Sequence, residues 1–315
     1  MYKCILIPIC ALILCYLSGC AANPAAAKLD EEKRIGIVLT EAGLGDQEWN
    51  DLAIEGLTKA RDRLDIIYTY KEITPELTYE KALQELADEG MDTIITLEAA
   101  AEDAVANQAK ANPAITYIAF ETELEADNLF GYVFDTVQAG YLAGVAAAAV
   151  TPSGKAGFIG ESSSAYLEGF KQGIAATSKE TELLVRETSP EDKAAGSKAA
   201  KELIAEEADI LFAEPGDAGK AMLQQAALAN IYAVGAGGDQ SYLAPDNVVT
   251  SAQLQIDHIV FDFLERFSKG EELPEDNMVG LKEQAVGLSP IAVVSITDTV
   301  EGKVHTATQK LLESE

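Results

Sequence analysis

The stretch RIGIVLTEAGLGDQEWNDLAIEGLTKARDRLDIIYT (residues 34–69) contains one complete folding unit. Ile35 to Leu39 is a short apolar run of strand length, Ala53, Leu57, Ala60 and Leu64 recur at helical spacing, and Ile66 to Thr69 is β-rich again. Strand, helix and strand in succession predict a right-handed βαβ crossover and a parallel sheet. Outward from this unit the alternation continues, with strands expected at Thr93 to Leu97, Ile115 to Phe120 and Leu129 to Val133 and helical spacing at Ala82, Leu83, Leu86 and Ala87. It restarts after the Pro/Gly break Thr151-Pro152-Ser153-Gly154. Strands are then expected at Ala156 to Ile159, Leu183 to Glu187, Ile210 to Phe212 and Ile231 to Val234, with helices over Tyr166 to Ala176, Ala194 to Glu206 and Ala218 to Ala229. The repeat predicts an α/β chain of two doubly wound, Rossmann-like lobes with parallel sheets.

A late helix, Ile256 to Phe267, precedes a Gly/Pro-rich stretch and the segment Met278 to Leu288, which suits a chain that returns to its first lobe and crosses again. Three crossovers are expected, near Phe134, Ser251 and Asp276. They assign residues 34–133 and 252–273 to one lobe and residues 134–251 and 274–315 to the other. Gly140 and Gly144 lie four apart in the apolar run GYLAGVAAAAV (residues 140–150). Such spacing also occurs in membrane helix dimers, but the run is too short to span a bilayer and reads as a buried helix packed closely through its glycines.

The first twenty residues carry Lys3, an apolar run from Cys4 to Leu17 and then small residues, the layout of a secretory signal. Leu17-Ser18-Gly19-Cys20 resembles the bacterial lipobox, which implies cleavage before Cys20 and a lipid on its sulfur. All four cysteines (Cys4, Cys10, Cys15, Cys20) fall in this segment, so no disulfide is expected in the mature chain. Residues 21–33, small and polar without apolar periodicity, read as a tether. The expected location is the extracytoplasmic face of the cell membrane. A net charge of −29 argues against nucleic acid as a partner, because such a surface repels phosphate backbones. It fits a densely anchored surface protein kept soluble by its charge.

The chemistry needed for self-sufficient catalysis is sparse. The only histidines are His258 and His305, which with no mature free cysteine leaves no basis for a His/Cys metal site. No G-x-S-x-G elbow and no Walker A sequence occurs. Gly235-Ala236-Gly237-Gly238-Asp239 follows a strand and begins G-x-G, but Gln240 stands at the third glycine and Pro245 opposes a helix there. No cofactor is expected, and the balance favours a binding protein over an enzyme. An extracellular hydrolase working with Asp or Glu alone is the reading from another class.

Several blocks in order resemble the basic membrane protein family of lipoproteins, substrate-binding proteins of ABC transporters that include purine-nucleoside receptors. They are residues 40–51 (TEAGLGDQEWND) followed by Glu55-Gly56-Leu57, then AGYLAG (139–144), GKAGFIG (154–160), GFKQG (169–173), ADILF (208–212), Gly238-Asp239-Gln240 and GLKEQAVGL (280–288). The resemblance covers essentially the whole chain after the tether. It implies a type I periplasmic binding protein fold whose cleft closes on a small ligand, in an expected monomer that delivers a nucleoside-like molecule to an ABC permease. A sensory lipoprotein of the same fold is the alternative.

The resemblance also implies site residues. Trp49 stands where family receptors stack an aromatic on the base, although its stripe with Ala53 and Leu57 suits the core equally. Asn50 would offer a donor and an acceptor to a base edge and also suits a helix start. Glu121 ends the strand Ile115 to Phe120 where the family usually carries Asp. Lys282, in a matched block, would point a cation at the cleft. Glu41, Gly216 and Asp217 are further candidates for the pocket. Gly237 replaces an Asp that resembles a ribose contact, and Asp239 is the candidate replacement carboxylate. The second aromatic expected near the start of the Ala218 to Ala229 helix is missing, with Phe212 close by but in a strand.

Overall fold

A computed structural model describes residues 32–313 apart from 179 and 275. The expected secretory leader, Cys20 and nearly all of the tether lie outside the described residues. The chain enters its first sheet at Lys33, so the last expected tether residue is already strand.

The first sheet is built from β1 (Lys33–Leu39), β2 (Ile66–Glu72), β3 (Thr93–Thr96), β4 (Thr116–Phe120), β5 (Glu125–Ala126), β6 (Leu129–Phe134) and β12 (Met278–Val279), in the order β12-β6-β4-β3-β1-β2 with β5 beside β6. All its pairs are parallel except β5 with β6. Between the strands run α1 (Trp49–Arg63), α2 (Tyr79–Asp88) and α3 (Glu102–Ala111). The second sheet repeats the plan with β7 (Lys155–Gly160), β8 (Glu182–Glu187), β9 (Ile210–Ala213), β10 (Tyr232–Gly237), β11 (Val248–Leu254) and β13 (Val286–Leu288), in the order β13-β11-β10-β9-β7-β8. Only β13 runs antiparallel to its neighbour there. Its helices are α4 (Thr136–Val150), α5 (Ala165–Thr177), α6 (Lys193–Ala205) and α7 (Asp217–Ala229). In both sheets the order reverses beside the first strand of the lobe, which opens a crevice at the carboxyl ends of the strands.

The chain crosses between the lobes where β6 passes through Asp135 into α4, whose first turn is capped by the Asp135 carboxylate accepting from the Gln138 backbone N–H at 2.9 Å. It returns after β11, since α8 (Ile256–Lys269) packs on α1 of the first lobe. The last crossing corrects the expectation of a boundary near Asp276. Met278 and Val279 pair with Val133 and Phe134 in the first sheet, so the chain changes lobes only after Val279. The short run cannot bury itself alone and completes the free edge of β6. Likewise β11 stays in the second sheet to Leu254, three residues past the expected crossing at Ser251. The chain ends in α9 (Thr297–Leu312), packed on α4.

Two helix pairs show why particular glycines are needed. A Cβ at Gly140 or Gly144 of α4 would lie 2.3 Å from the carbonyl oxygen of Tyr166 or Phe170, and one at Gly169 or Gly173 of α5 would lie 1.9 or 2.1 Å from that of Val137 or Tyr141. The four glycines let α4 and α5 touch backbone to backbone, the close packing expected for the Gly140 to Val150 run. Gly56 of α1 does the same against α8, with Asp257 O 2.5 Å from the Cβ position.

Candidate ligand cleft between the lobes

The loop after β1 carries the first wall, and its own side chains brace it. Asp46 accepts from the backbone N–H groups of Glu48 (3.0 Å), Asn50 (3.0 Å) and Asp51 (3.2 Å), placing a carboxylate at the start of α1 where free N–H groups and the helix dipole favour it. Asp51 accepts from Gly45 N (2.8 Å) and Gln47 N (3.0 Å). Asn50 is fully buried: its Oδ1 accepts from Thr40 N, and its Nδ2 donates to Thr40 Oγ1, Gly43 O and Asp46 Oδ2, all within 3.0 Å. The Asn50 amide is thereby committed to shaping the loop.

This loop faces the second lobe across a cavity of about 600 Å³. Thr40, Ala42, Leu44, Gly45, Asp46, Glu48 and Trp49 line one side, joined by Leu97 and Glu98 after β3 and Glu121 after β4. Glu191, Gly216, Asp217 and Lys220 come from the second lobe. The first-lobe residues follow the carboxyl ends of β1, β3 and β4, where ligands of open α/β sheets bind. The volume suits a small molecule, since such sites run about 300–1,000 Å³.

Trp49 joins cavity and core. Its ring stands edge-on to Phe134 at 5.6 Å while the residue also lines the cavity, so both readings of its position hold together. Glu121 takes up a left-handed backbone conformation (φ 60°) that residues with a Cβ rarely adopt. Its Oε1 is buried without a protein hydrogen-bond partner among the described residues. Burial raises its pKa above the usual carboxylate range, opposed by a hydrogen bond from the Phe134 backbone. The buried Tyr166 hydroxyl likewise has no protein partner among the described residues. Burial pushes the Tyr166 pKa up, and the charges of Glu121, Glu214 and Glu48 push the same way. On the same wall Glu98 accepts a hydrogen bond from the Tyr79 hydroxyl.

Of the residues expected from sequence, Trp49, Glu121, Gly216 and Asp217 come together on this cavity. Glu41 is exposed and outside the lining. Asp239 is exposed, its Oδ1 accepting from Ser241 N at 3.0 Å. Lys282 does not point into the cleft. It lines a separate cavity of about 640 Å³ beside the last crossover, with Asp135, Gln138, Asp276, Met278, Gly280, Glu283 and Leu312. The reason is topological: β12 holds the chain on the first sheet and carries Lys282 out along the hinge. Phe212 is fully buried against Phe158, Phe170 and Tyr166 and takes no part in the cleft. Gly237 has φ 87°, a conformation that disfavours the Asp of the resembling pattern. Glu98 was missed although it follows a strand end. Glu48, Glu191 and Lys220 carried no signal, because charged residues on loops and helix faces are ordinarily solvated.

The family model described as ABC transporter substrate-binding protein PnrA-like, Bmp, matches residues 33–313. The chain belongs to the Bmp family. Relatives of this Bmp chain include Basic membrane protein A1 of Borrelia garinii subsp. bavariensis, 27% identical over 79% of the chain and 78% of the relative. The ABC transporter nucleoside-binding protein BmpA of Lactococcus lactis subsp. cremoris is 22% identical over 91% of the chain and 93% of the relative. The same fold occurs in the transcriptional activator of the comK gene from Bacillus halodurans, with a TM-score of 0.78 at 23% identity over 88% of this chain and 96% of that one. An ABC transporter solute-binding protein from Conexibacter woesei has a TM-score of 0.75 at 18% identity over 90% of this chain and 97% of that one. Bmp membership makes the protein an ABC transporter substrate-binding protein of the extracytoplasmic space, with a small-molecule ligand and a permease as partners. Among the described residues no helix is long and apolar enough to cross a membrane.

Proposed function

We propose that this Bmp protein is a lipoprotein, anchored through Cys20, that captures a purine nucleoside between its lobes and hands it to an ABC permease without covalent chemistry. The observation that carries the ligand reading is Trp49 on the wall of a cavity of about 600 Å³ that also holds Glu121, whose Oε1 has no protein partner among the described residues. An indole face stacks on any base, and a carboxyl group in that position exchanges hydrogen bonds with a ring N–H or a hydroxyl. The name of the Lactococcus relative, a nucleoside-binding protein, agrees with this reading.

The charge of the cavity narrows the ligand further. Asp46, Glu48, Glu98, Glu121, Glu191 and Asp217 line it, with Lys220 the one cation among the described lining residues, so phosphate-bearing nucleotides are repelled where a neutral nucleoside is not.

Trp49 is the only tryptophan in the chain, so its fluorescence reports on the cleft alone. Titration with adenosine, guanosine or inosine should change its emission saturably. Trp49→Ala should weaken binding by about 5- to 150-fold, the equivalent of the roughly 1 to 3 kcal/mol of a base–aromatic stack, while Trp49→Phe should keep most of the affinity. Unchanged emission together with unaltered affinity in Trp49→Ala would remove the stacking role. The anchor is tested separately: Cys20→Ser should abolish labelling by a fatty-acid analogue, and labelling that persists would contradict it.

A further inference from the structure

Closing this cleft brings like charges towards each other. Asp46, Glu48, Glu98 and Glu121 stand on the first-lobe wall and Glu191 and Asp217 on the second, while among the described residues of the lining only Lys220 is basic. Lys220 does not lie free between them. Its Nζ is 3.2 Å from Glu48 Oε1 across the lobes, and Gln240 Nε2 of the second lobe donates to the same oxygen at 3.4 Å.

Glu48 and Gln240 are each braced within their own lobe. Glu48 sits on the loop braced by Asp46 and Asp51, with its backbone N–H bound to Asp46 Oδ1. Gln240 is buried, its N–H donating to Ser251 Oγ and its Oε1 accepting from Ala236 N. The backbones also abut, since a Cβ on Gly238 would lie 3.0 Å from Gln47 O. Groups already fixed by their own lobes lose little further freedom on pairing. Burial opposes the charge on Lys220, but the Glu48 carboxylate, with Asp217 and Tyr242, outweighs it and leaves the ammonium more firmly protonated than an ordinary lysine.

We propose that Glu48, Lys220 and Gln240 form an interlobe clasp that holds the two lobes together before any ligand arrives, with Lys220 offsetting the carboxylates that closure sets face to face. The clasp goes beyond the nucleoside reading and operates whatever the cleft binds. Because apparent affinity scales with the fraction of molecules already in the binding-competent form, it also sets how much ligand binding must be spent on closure.

Small-angle scattering of the full mature chain, stripped of ligand by denaturation and refolding, tests the clasp without reference to ligand identity. The parent should give a compact profile. Lys220→Met should raise the radius of gyration by roughly 1 Å over the ~19 Å expected for a chain of this size. Lys220→Arg, which keeps the charge, should stay compact. Glu48→Gln should expand the molecule less than Lys220→Met, because it removes one repelling carboxylate along with the pair, and it serves as the second readout if Lys220→Met fails to refold. A Lys220→Met profile that superimposes on the parent, or a parent already as extended as that variant, would overturn the proposal.

Discussion

Glu121 concentrates the chemistry of the cleft in one side chain. Its backbone is strained, and its half-buried side chain carries a buried oxygen without a protein partner among the described residues. Its raised pKa has a consequence for stability whose direction follows from linkage. The native state holds this proton more tightly than the unfolded chain, so the stabilisation it brings is complete below the unfolded value, about 4.3 for a glutamate, and is lost as pH rises through the higher native value. Glu121→Gln removes the buried charge, so its thermal midpoint should exceed that of the parent at neutral and alkaline pH, with the gap narrowing in acid. A difference independent of pH would show that the carboxyl is not kept from its charge by burial. The strand-end rule and the family resemblance led to Trp49, Glu121, Gly216 and Asp217, which the fold gathers on one cavity. Asn50 shows where such reasoning stops: its identity suits a base edge, but the geometry of its own loop uses every hydrogen-bonding group it has. Lys220 was invisible because its partner Glu48 lies 172 residues away in sequence and only the folded chain pairs them.

At the level of elements, the contact of α4 with α5 carries the most specific packing. Gly169→Ala would place a methyl 1.9 Å from Val137 O, and the obstacle is backbone that cannot rotate away. Forcing helices apart in a packed interior costs about 1–3 kcal/mol, so this variant should unfold at clearly lower urea concentration than the parent. Gly302→Ala in α9, where nothing lies within 4 Å of the Cβ position, should not. Equal midpoints for the two variants would contradict the backbone contact. The major strands of both sheets were legible because parallel strands buried on both faces read as apolar runs. The unexpected ones were of other kinds. β11 (VVTSAQL) is buried yet carries Thr250 and Ser251, whose hydroxyls find their partners, Ser289 O for Thr250 and Gln240 N for Ser251, only in the folded state. β5 and β12 are two residues long, and α9 has a weakly apolar face, so none of the three leaves a periodic signature.

For the whole molecule, two charge-rich lobes meet over a cleft whose lining, among the described residues, holds six carboxylates and one lysine. On the proposed nucleoside reading that balance would favour neutral ligands over others of similar shape, because each added phosphate would meet carboxylates from both sides. The clasp of Lys220 on Glu48 keeps the walls close enough for one ligand to touch both. The location of the cavity between the lobes follows from the sheet order alone, whereas its chemistry depends on loops that sequence periodicity does not describe. Calorimetry with matched ligands tests the central claim, that this cleft takes an uncharged purine nucleoside, most directly. Titrated into the refolded chain, inosine, adenosine or guanosine should release or absorb saturating heat with one site per chain, and the corresponding 5′-monophosphates should bind at least about tenfold more weakly, a difference of about 1.4 kcal/mol. Nucleosides and free bases that all give no binding heat at about 1 mM, or monophosphates that bind as tightly as the nucleosides, would contradict it.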